Sequence, residues 1–248
     1  MKRATIPQIF SRSRRKAILR RVSSVQEPPF LFTEMAEDII VRLGFMQISS
    51  AKALLSGDYS HQLANHLRQT DAQVDILDPL LIDEEQPLPF EDYDLVVSMG
   101  LLDTLNDLPG ALLHLRNALA PAGLAFMTFA GAGSLPVLRK SLLDAETERP
   151  AARMHPMIDT RAAAELMQRA GFARQVVDSR SMKVRYSTLD RLIGDLRANG
   201  MTNRLASVPP PLSRATAARL RSAFQEHADD EGRVTETFEI LTLTGWKS

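Results

Sequence analysis

The 248-residue chain contains no cysteine. Disulfide bridges, cysteine-ligated zinc, iron–sulfur clusters and a thiol nucleophile are therefore excluded. The remaining residues show no pattern from which we can assign metal ligands or catalytic residues. Any chemistry of this chain must come from hydroxyl, carboxylate, histidine or basic side chains, or from a bound cofactor.

A long apolar run and an excess of charge of one sign are also missing. No run of about 18 apolar residues is present, so we predict no membrane span. The start of the sequence is basic but lacks the apolar segment of a secretory signal, and we expect a cytoplasmic protein. The formal net charge is +0, so the overall charge does not indicate a nucleic-acid partner.

Residues 90–129 carry the clearest structural pattern of the sequence. The apolar run at residues 95–97 is short and rich in β-branched side chains, which is typical of a strand buried on both faces. Asp107 and Pro109 mark a helix start, because aspartate caps free N–H groups and proline costs nothing in the first turn. A second apolar run, residues 124–129, follows. The pattern predicts a βαβ unit, and therefore a parallel sheet with right-handed crossovers.

Basic residues are concentrated at the start of the chain. Eight lysines and arginines precede the first acid, Glu27. We interpret residues 1–28 as a basic N-terminal arm. It could be a helix that docks on the domain, a lid or partner-binding arm over an acidic substrate, or a contact for RNA or anionic lipid. The third role is disfavoured, because Phe10 is the only aromatic residue interleaved with the charges.

The stretch from residue 88 to residue 124 resembles a known superfamily. Its segments LPF, YDLVVS and NDLPGALLHLRNALAPAGL match the region from the fourth to the fifth strand of class I S-adenosylmethionine-dependent methyltransferases. The resemblance implies an α/β fold: a Rossmann-like, doubly wound sheet with an antiparallel last strand and the order 3-2-1-4-5-7-6. Residues 78–87 are too few to supply a further helix plus a strand before LPF. We therefore expect a sheet reduced at its strand 2/3 edge.

The same resemblance implies a site for S-adenosylmethionine in the loop after the first strand. Family members carry an acidic residue followed by Gly-x-Gly-x-Gly, but the aligned residues here are Leu55, Gly57, Tyr59 and His61. Side chains at the two lost glycine positions would crowd the methionine moiety of the cofactor. An acid after the second strand, Asp75 or Asp78, is expected to face the ribose hydroxyls. The candidate cofactor-binding residues are Gly57, Asp78, Asp83, Glu84 and Ser98.

Pieces spread over nearly the whole chain resemble one branch of this superfamily. They include PQIFSRSRRKA from residue 7, AETER from residue 145 and TGWK from residue 244. The branch holds bacterial relatives of a mitochondrial complex I assembly factor that modifies an arginine. A more distant resemblance is to the malonyl-carrier-protein methyltransferase of biotin synthesis. The resemblance implies a protein substrate or partner, such as a subunit of a respiratory complex.

The predicted organisation is one methyltransferase-like domain at residues 29–248. Helical segments at 134–170 and 188–228 are expected to cover the strand ends. The closing strand is expected to bury its large side chains, Phe238, Ile240 and Trp246.

Two functions stay open at this point. The first is an S-adenosylmethionine-dependent methyltransferase related to complex I assembly factors. The second is a non-catalytic relative that keeps the fold as an assembly or interaction module. His155, which stands where the branch has a serine, is either a loop histidine or a general base.

Overall fold

The computed structural model describes residues 8–147 and 150–248, so Lys2 and Arg3 of the arm lie outside the described residues. The strands are β1 (Lys52–Ser56), β2 (Gln73–Ile76), β3 (Tyr93–Met99), β4 (Leu119–Ala130), β5 (Ala173–Tyr186) and β6 (Val234–Trp246). The α-helices are α1 (Arg12–Ser23), α2 (Phe30–Phe45), α3 (Gln62–Arg68), α4 (Leu108–Ala118), α5 (Pro136–Ala145), α6 (Thr160–Arg169), α7 (Leu189–Ala198) and α8 (Arg214–Gln225). Within these ranges no helix is long and apolar enough to cross a membrane.

The strands form one sheet in the order β2-β1-β3-β4-β6-β5. Neighbours from β2 to β4 are parallel, whereas β6 is antiparallel to both β4 and β5. This is the order expected for the superfamily without its third strand, because β2 forms the edge and the chain then leads directly to β3. The predicted fold class, the antiparallel last strand and the reduced edge are therefore confirmed.

The βαβ unit predicted from residues 90–129 is β3, α4 and β4. Asp107 caps α4 as expected, since its Oδ1 accepts the N–H of Gly110 at 2.9 Å. β4 begins earlier than the apolar run at 124–129 suggests, because Leu119 already pairs with Tyr93 before a register shift in the ladder. The unit brings the ends of β3 and β4 to the same edge of the sheet.

The sheet separates two apolar clusters, since successive strand residues point to opposite faces. One face packs against α2, α3, α5, α7 and α8, with Phe126 at its centre. The other packs against α4 and α6, with Met127 at its centre. Both faces of the central strands are therefore buried, which explains their continuous apolar runs.

The described part of the basic arm is a packed helix. Ser11 caps α1 by accepting the N–H of Arg14. The side chains of Ile18, Leu19 and Val22 are buried, while the remaining face of the helix carries the exposed charges. The helix thus contributes apolar surface to the fold.

The closing strand β6 differs from the expectation at one residue. Phe238 and Ile240 are buried as predicted, but Trp246 is only partly buried. Trp246 lies at the end of the strand, where the guanidinium of Arg174 lies 5.2 Å from the ring centroid. Trp246 packs against the core of the helical face, as expected, but it is less completely buried than Phe238 and Ile240.

Candidate functional site

The carboxyl ends of β1, β3 and β4 meet at one edge of the sheet, which is where ligands bind in open parallel sheets. Residues 57–61 follow β1, residues 100–107 follow β3 and residues 131–135 follow β4. The helix α1 reaches this edge, because Arg15 Nη2 donates to the carbonyl of Leu101 at 3.2 Å. We call this region the carboxyl edge.

Gly57 is required at the carboxyl edge by a contact between backbones. Its φ angle is +82°, in the left-handed region that favours glycine. A Cβ atom at this position would lie 2.0 Å from the carbonyl oxygen of Met99. The glycine therefore allows the loop after β1 to approach the end of β3, with or without a ligand.

Tyr59 fills space above the strand ends. Its ring packs edge-to-face on Phe32, with the centroids 4.8 Å apart. The ring of Phe32 in turn occupies the space where a Cβ atom of Gly100 would lie. The buried hydroxyl of Tyr59 lies near Ser23 but makes no hydrogen bond of standard geometry among the described residues. Burial raises the pKa of Tyr59, although the nearby charges of Arg15 and Arg204 oppose the shift. The position where the superfamily has a glycine thus carries a large inward-facing side chain.

A cleft of 430 Å³ lies beside this aromatic pair. Gly57, His61 and Asp78 line it, together with the linker between α1 and α2. Asp78 Oδ1 accepts the N–H of Leu80 at 2.8 Å, so part of this carboxylate is used within its own loop. The volume falls in the range of small-molecule pockets, about 300–1,000 Å³. The structure therefore brings Gly57 and Asp78 together at one cleft.

Asp83 and Glu84 face the helix α1. The guanidinium of Arg15 donates to both carboxylate oxygens of Glu84, at 3.0 and 2.7 Å. This pair is buried, with the two side chains 8% and 4% exposed. Arg12 pairs with Asp83 at 2.9 Å and also contacts Glu85. The two predicted cofactor acids are therefore held by the arm.

Sequence reasoning missed the pair of Arg15 and Glu84. Arg15 precedes Ile18, Leu19 and Val22 by three, four and seven positions, so it lies on the buried face of α1. A basic residue within an apolar helical stripe was the available signal. The identity of the partner, 69 positions away, had no local signal.

Ser98 lies inside β3, next to Ser56 on β1 and Met127 on β4. Its side chain is buried among the strands and is not part of the lining of the cleft. The structure thus separates Ser98 from Gly57 and Asp78, with which the sequence grouped it.

A second buried arginine, Arg204, lies at the carboxyl edge and carried no sequence signal. It donates to Thr104 Oγ1 at 2.5 Å and to the carbonyl of Gly200 at 2.6 Å. Burial lowers the pKa of Arg204, and the charge of Asp103 opposes this shift. Arg204 and Arg15 are both close enough to Tyr59 for their charges to act on its hydroxyl.

His155 is buried beside Asp103, with 3.8 Å between Nε2 and Oδ2. This distance is longer than a hydrogen bond, so no acid–base dyad is formed. Its ring also meets Phe10 edge-to-face. Elsewhere in residues 8–147 and 150–248, no group of three or more histidines and acids is arranged to hold a metal ion.

A sequence profile of the family described as "Methyltransferase domain" matches residues 30–176, more than half of the chain. The chain belongs to this methyltransferase domain family. Among curated proteins, it is 30% identical over 219 residues to the mouse mitochondrial arginine-hydroxylase NDUFAF5, covering 86% of this chain and 64% of the mouse protein. The chain thus spans slightly less than two thirds of the length of that relative.

Two further comparisons agree with this family. The chain is 30% identical over 162 residues to a malonyl-[acyl-carrier protein] O-methyltransferase of Halorhodospira halophila, covering 64% of this chain and 54% of that protein. A solved Bacillus halodurans protein assigned to the methyltransferases superposes with a TM-score of 0.50 at 14% identity, covering 82% of this chain and 97% of that one. This structural likeness concerns the fold alone.

S-adenosylmethionine, the cofactor implied for this methyltransferase family, fits only part of the carboxyl edge. Asp78 and the adjacent cleft suit a ribose and its surroundings. At the methionine end the match is poorer, because Tyr59 stands where the family has a glycine and packs on Phe32. Glu84 is likewise already paired with Arg15. The residues present therefore match the family's cofactor site only in part.

Proposed function

We propose that this methyltransferase-family protein acts as a binding module in the assembly of a respiratory complex, and that it does not transfer methyl groups. The observation that carries the proposal is the occupied carboxyl edge. Tyr59 stands in place of a glycine, and the buried pair of Arg15 and Glu84 closes the loop before β3.

Opening this edge would cost a substantial part of the free energy of ordinary ligand binding, which is about 8 kcal/mol at a micromolar Kd. Removing one partner from a buried ion pair costs about 3–5 kcal/mol. A ligand that displaced Arg15 from Glu84 would bind roughly two to four orders of magnitude more weakly for this reason alone. The displacement of Tyr59 from Phe32 would add to that cost.

The resemblance to the branch of complex I assembly factors supports a protein partner. The exposed face of α1 supplies a positive surface for it, including Arg20 and Arg21. An acidic surface on the partner is complementary to these charges, and complementary charge accelerates association and selects partners.

Methyl transfer is the second candidate, and the cleft of 430 Å³ beside Gly57 and Asp78 favours it. This reading requires Tyr59 to leave its position against Phe32 when S-adenosylmethionine binds. The two candidates therefore differ in a measurable quantity, the affinity of the purified protein for S-adenosylmethionine.

Isothermal titration calorimetry with S-adenosylmethionine separates the two candidates. We expect no binding to the wild type at about 1 mM ligand, and binding to the variant Leu55→Asp/Tyr59→Gly/His61→Gly, which restores the superfamily pattern. Wild-type binding in the micromolar range, about −8 kcal/mol, would contradict the binding-module proposal. If Asp78→Asn then abolishes that binding while Asp71→Asn does not, methyl transfer is the better assignment.

Charge reversal tests the partner surface. Arg20→Glu/Arg21→Glu should weaken binding to a purified acidic respiratory subunit at least tenfold. The control Arg161→Glu/Arg169→Glu changes two exposed arginines of α6, on the other face of the sheet, and should bind as the wild type does. Equal weakening by both variants would show a general charge effect and no site on α1.

A further inference from the structure

A second cavity lies in the helical cover, apart from the cleft beside Gly57. It is partly open, has a volume of 210 Å³ and is bordered by α5, α7, α8, the segment between α5 and α6 and the segment between α7 and α8. Its walls are mainly aliphatic and include Leu138, Met154, Met157, Leu196, Met201 and Leu220. We call it the cover cavity.

Two polar residues of the cover cavity, Arg153 and Asn203, are already engaged with protein groups. Arg153 donates to both carboxylate oxygens of Glu146, at 3.0 and 2.6 Å. Asn203 Nδ2 donates to the carbonyls of Ala152 and Arg153, at 3.0 and 2.8 Å. These groups hold the wall in place and leave the interior apolar, so water inside it would find few partners.

His155 is the exception in this wall. Its side chain is 5% exposed, and the nearest carboxylate, on Asp103, lies 3.8 Å from Nε2. The imidazole lines the cover cavity, and its separation from Asp103 is longer than a hydrogen bond. Because Asp103 is close, a carboxylate ligand would meet a like charge, whereas a neutral head group would not.

We propose that the cover cavity binds a neutral, mainly aliphatic small molecule with one hydrogen-bonding head group, which contacts His155. Size supports this assignment, since an apolar cavity of about 150 Å³ already binds benzene. Composition supports it too, because methionine side chains adapt their shape to apolar ligands. The site is separate from the carboxyl-edge cleft and does not depend on the proposed function.

The test uses 1-octanol, octanoate and hexane as probes, with the full chain, by calorimetry and thermal unfolding. We expect saturable binding of 1-octanol that raises Tm, and octanoate binding at least tenfold weaker. Met201→Trp, which places an indole in the cavity, should abolish octanol binding. Leu143→Trp, on the exposed outer side of α5, is the matched control and should bind as the wild type does.

His155→Phe separates the head-group contact from the apolar wall. We expect octanol affinity to fall at least tenfold while hexane binding is unchanged. The proposal is overturned if octanol does not bind saturably to the wild type, or if folded Met201→Trp binds it normally. It is also overturned if octanoate binds as tightly as octanol, or if folded His155→Phe keeps the full octanol affinity.

Discussion

Gly57 occupies a position where the backbone leaves no room for any side chain. A methyl group there would meet the Met99 carbonyl oxygen at 2.0 Å, and φ is +82°. We expect Gly57→Ala to lower the free energy of unfolding by about 4–5 kcal/mol or to prevent folding, because such losses arise when the backbone itself must shift. Urea denaturation followed by circular dichroism measures this.

Gly232→Ala is the control for Gly57→Ala. Gly232 has a similar φ of +72°, but nothing lies within 4 Å of its Cβ position. Only the cost of the left-handed conformation should appear, about 1–2 kcal/mol. Equal losses at the two sites would mean that the contact with Met99 contributes nothing.

The pair of Arg15 and Glu84 gives a second prediction at the scale of residues. Arg15→Met and Glu84→Met should each lower the free energy of unfolding by about 3–5 kcal/mol, because each leaves a buried charge without its partner. The double variant should lose much less than the sum of the two, since both charges are removed together.

Arg221→Met is the comparison for this double-mutant cycle. It breaks a pair with Asp190 in which the side chains are 55% and 61% exposed. Its loss should be much smaller than that of either buried variant, because water and salt screen exposed pairs. Additive losses for Arg15 and Glu84 would show that the two side chains stabilise the fold independently.

The candidate site was only partly predictable from the sequence. Gly57 and Asp78 meet at one cleft, as expected from loops that follow adjacent parallel strands. Three features depend on contacts between distant parts of the chain: the pairing of Glu84 with Arg15, the packing of Tyr59 on Phe32 and the burial of Arg204. Local pattern carries no signal for such contacts, so these features emerge only with the fold.

Among the elements, α5 shows how a helix end can depend on a distant strand. It begins after Leu135, whose backbone is in the left-handed conformation with a φ of 59° and whose side chain cannot cap the helix. Glu236 of β6 takes that role, since its carboxylate accepts the N–H of Leu138 at 2.8 Å and of Val137 at 3.3 Å. Burial raises the pKa of Glu236, although these N–H groups oppose the shift.

This capping carboxylate predicts a specific pH dependence. A raised pKa in the folded state means that the stability linked to Glu236 is fully present below its unfolded pKa. That stability is lost as pH rises through the folded pKa. Relative to Glu236→Gln, the wild type should therefore lose free energy of unfolding as pH rises above about 4, the ordinary pKa of glutamate.

Urea titrations of both proteins across this pH range measure the difference. Glu226→Gln is an exposed change at the end of α8. Its free energy of unfolding should instead follow the same pH dependence as that of the wild type. Parallel curves for Glu236→Gln as well would mean that its carboxylate titrates normally in the folded protein.

The elements themselves were more predictable than the site. The unit β3–α4–β4 follows from short-range signals: an apolar run, the cap at Asp107 and helical spacing. The start of α2 was harder to predict, because Pro29 stands at its N-cap and supplies no side-chain hydrogen bond. Helix α5 also has no local start signal of the usual kind, since its cap comes from β6.

At the scale of the whole molecule, the sheet depends on β6. Phe238 is 1% exposed and Trp246 is only partly buried. Phe238→Ala should lower the free energy of unfolding by about 3–5 kcal/mol. Trp246→Ala should lose clearly less, with the cation–π contact of Arg174 accounting for about 0.5–1 kcal/mol.

Circular dichroism is the suitable readout for these two variants, because Trp246 is the only tryptophan and its loss removes the fluorescence signal. Leu143→Ala, on the exposed side of α5, should change little. An equal loss for Phe238→Ala and Trp246→Ala would place the tryptophan inside the core.

The position of β6 between β4 and β5 has a consequence for synthesis on the ribosome. The strand β5 pairs in the sheet with β6 alone, yet residues 187–233 are made between the two. Until β6 emerges, the nascent chain presents an unpaired edge on β4 and an unattached strand at β5. Such edges pair readily with other chains. The nascent protein should therefore need a chaperone during this interval, and it should be most prone to aggregation when translation pauses there.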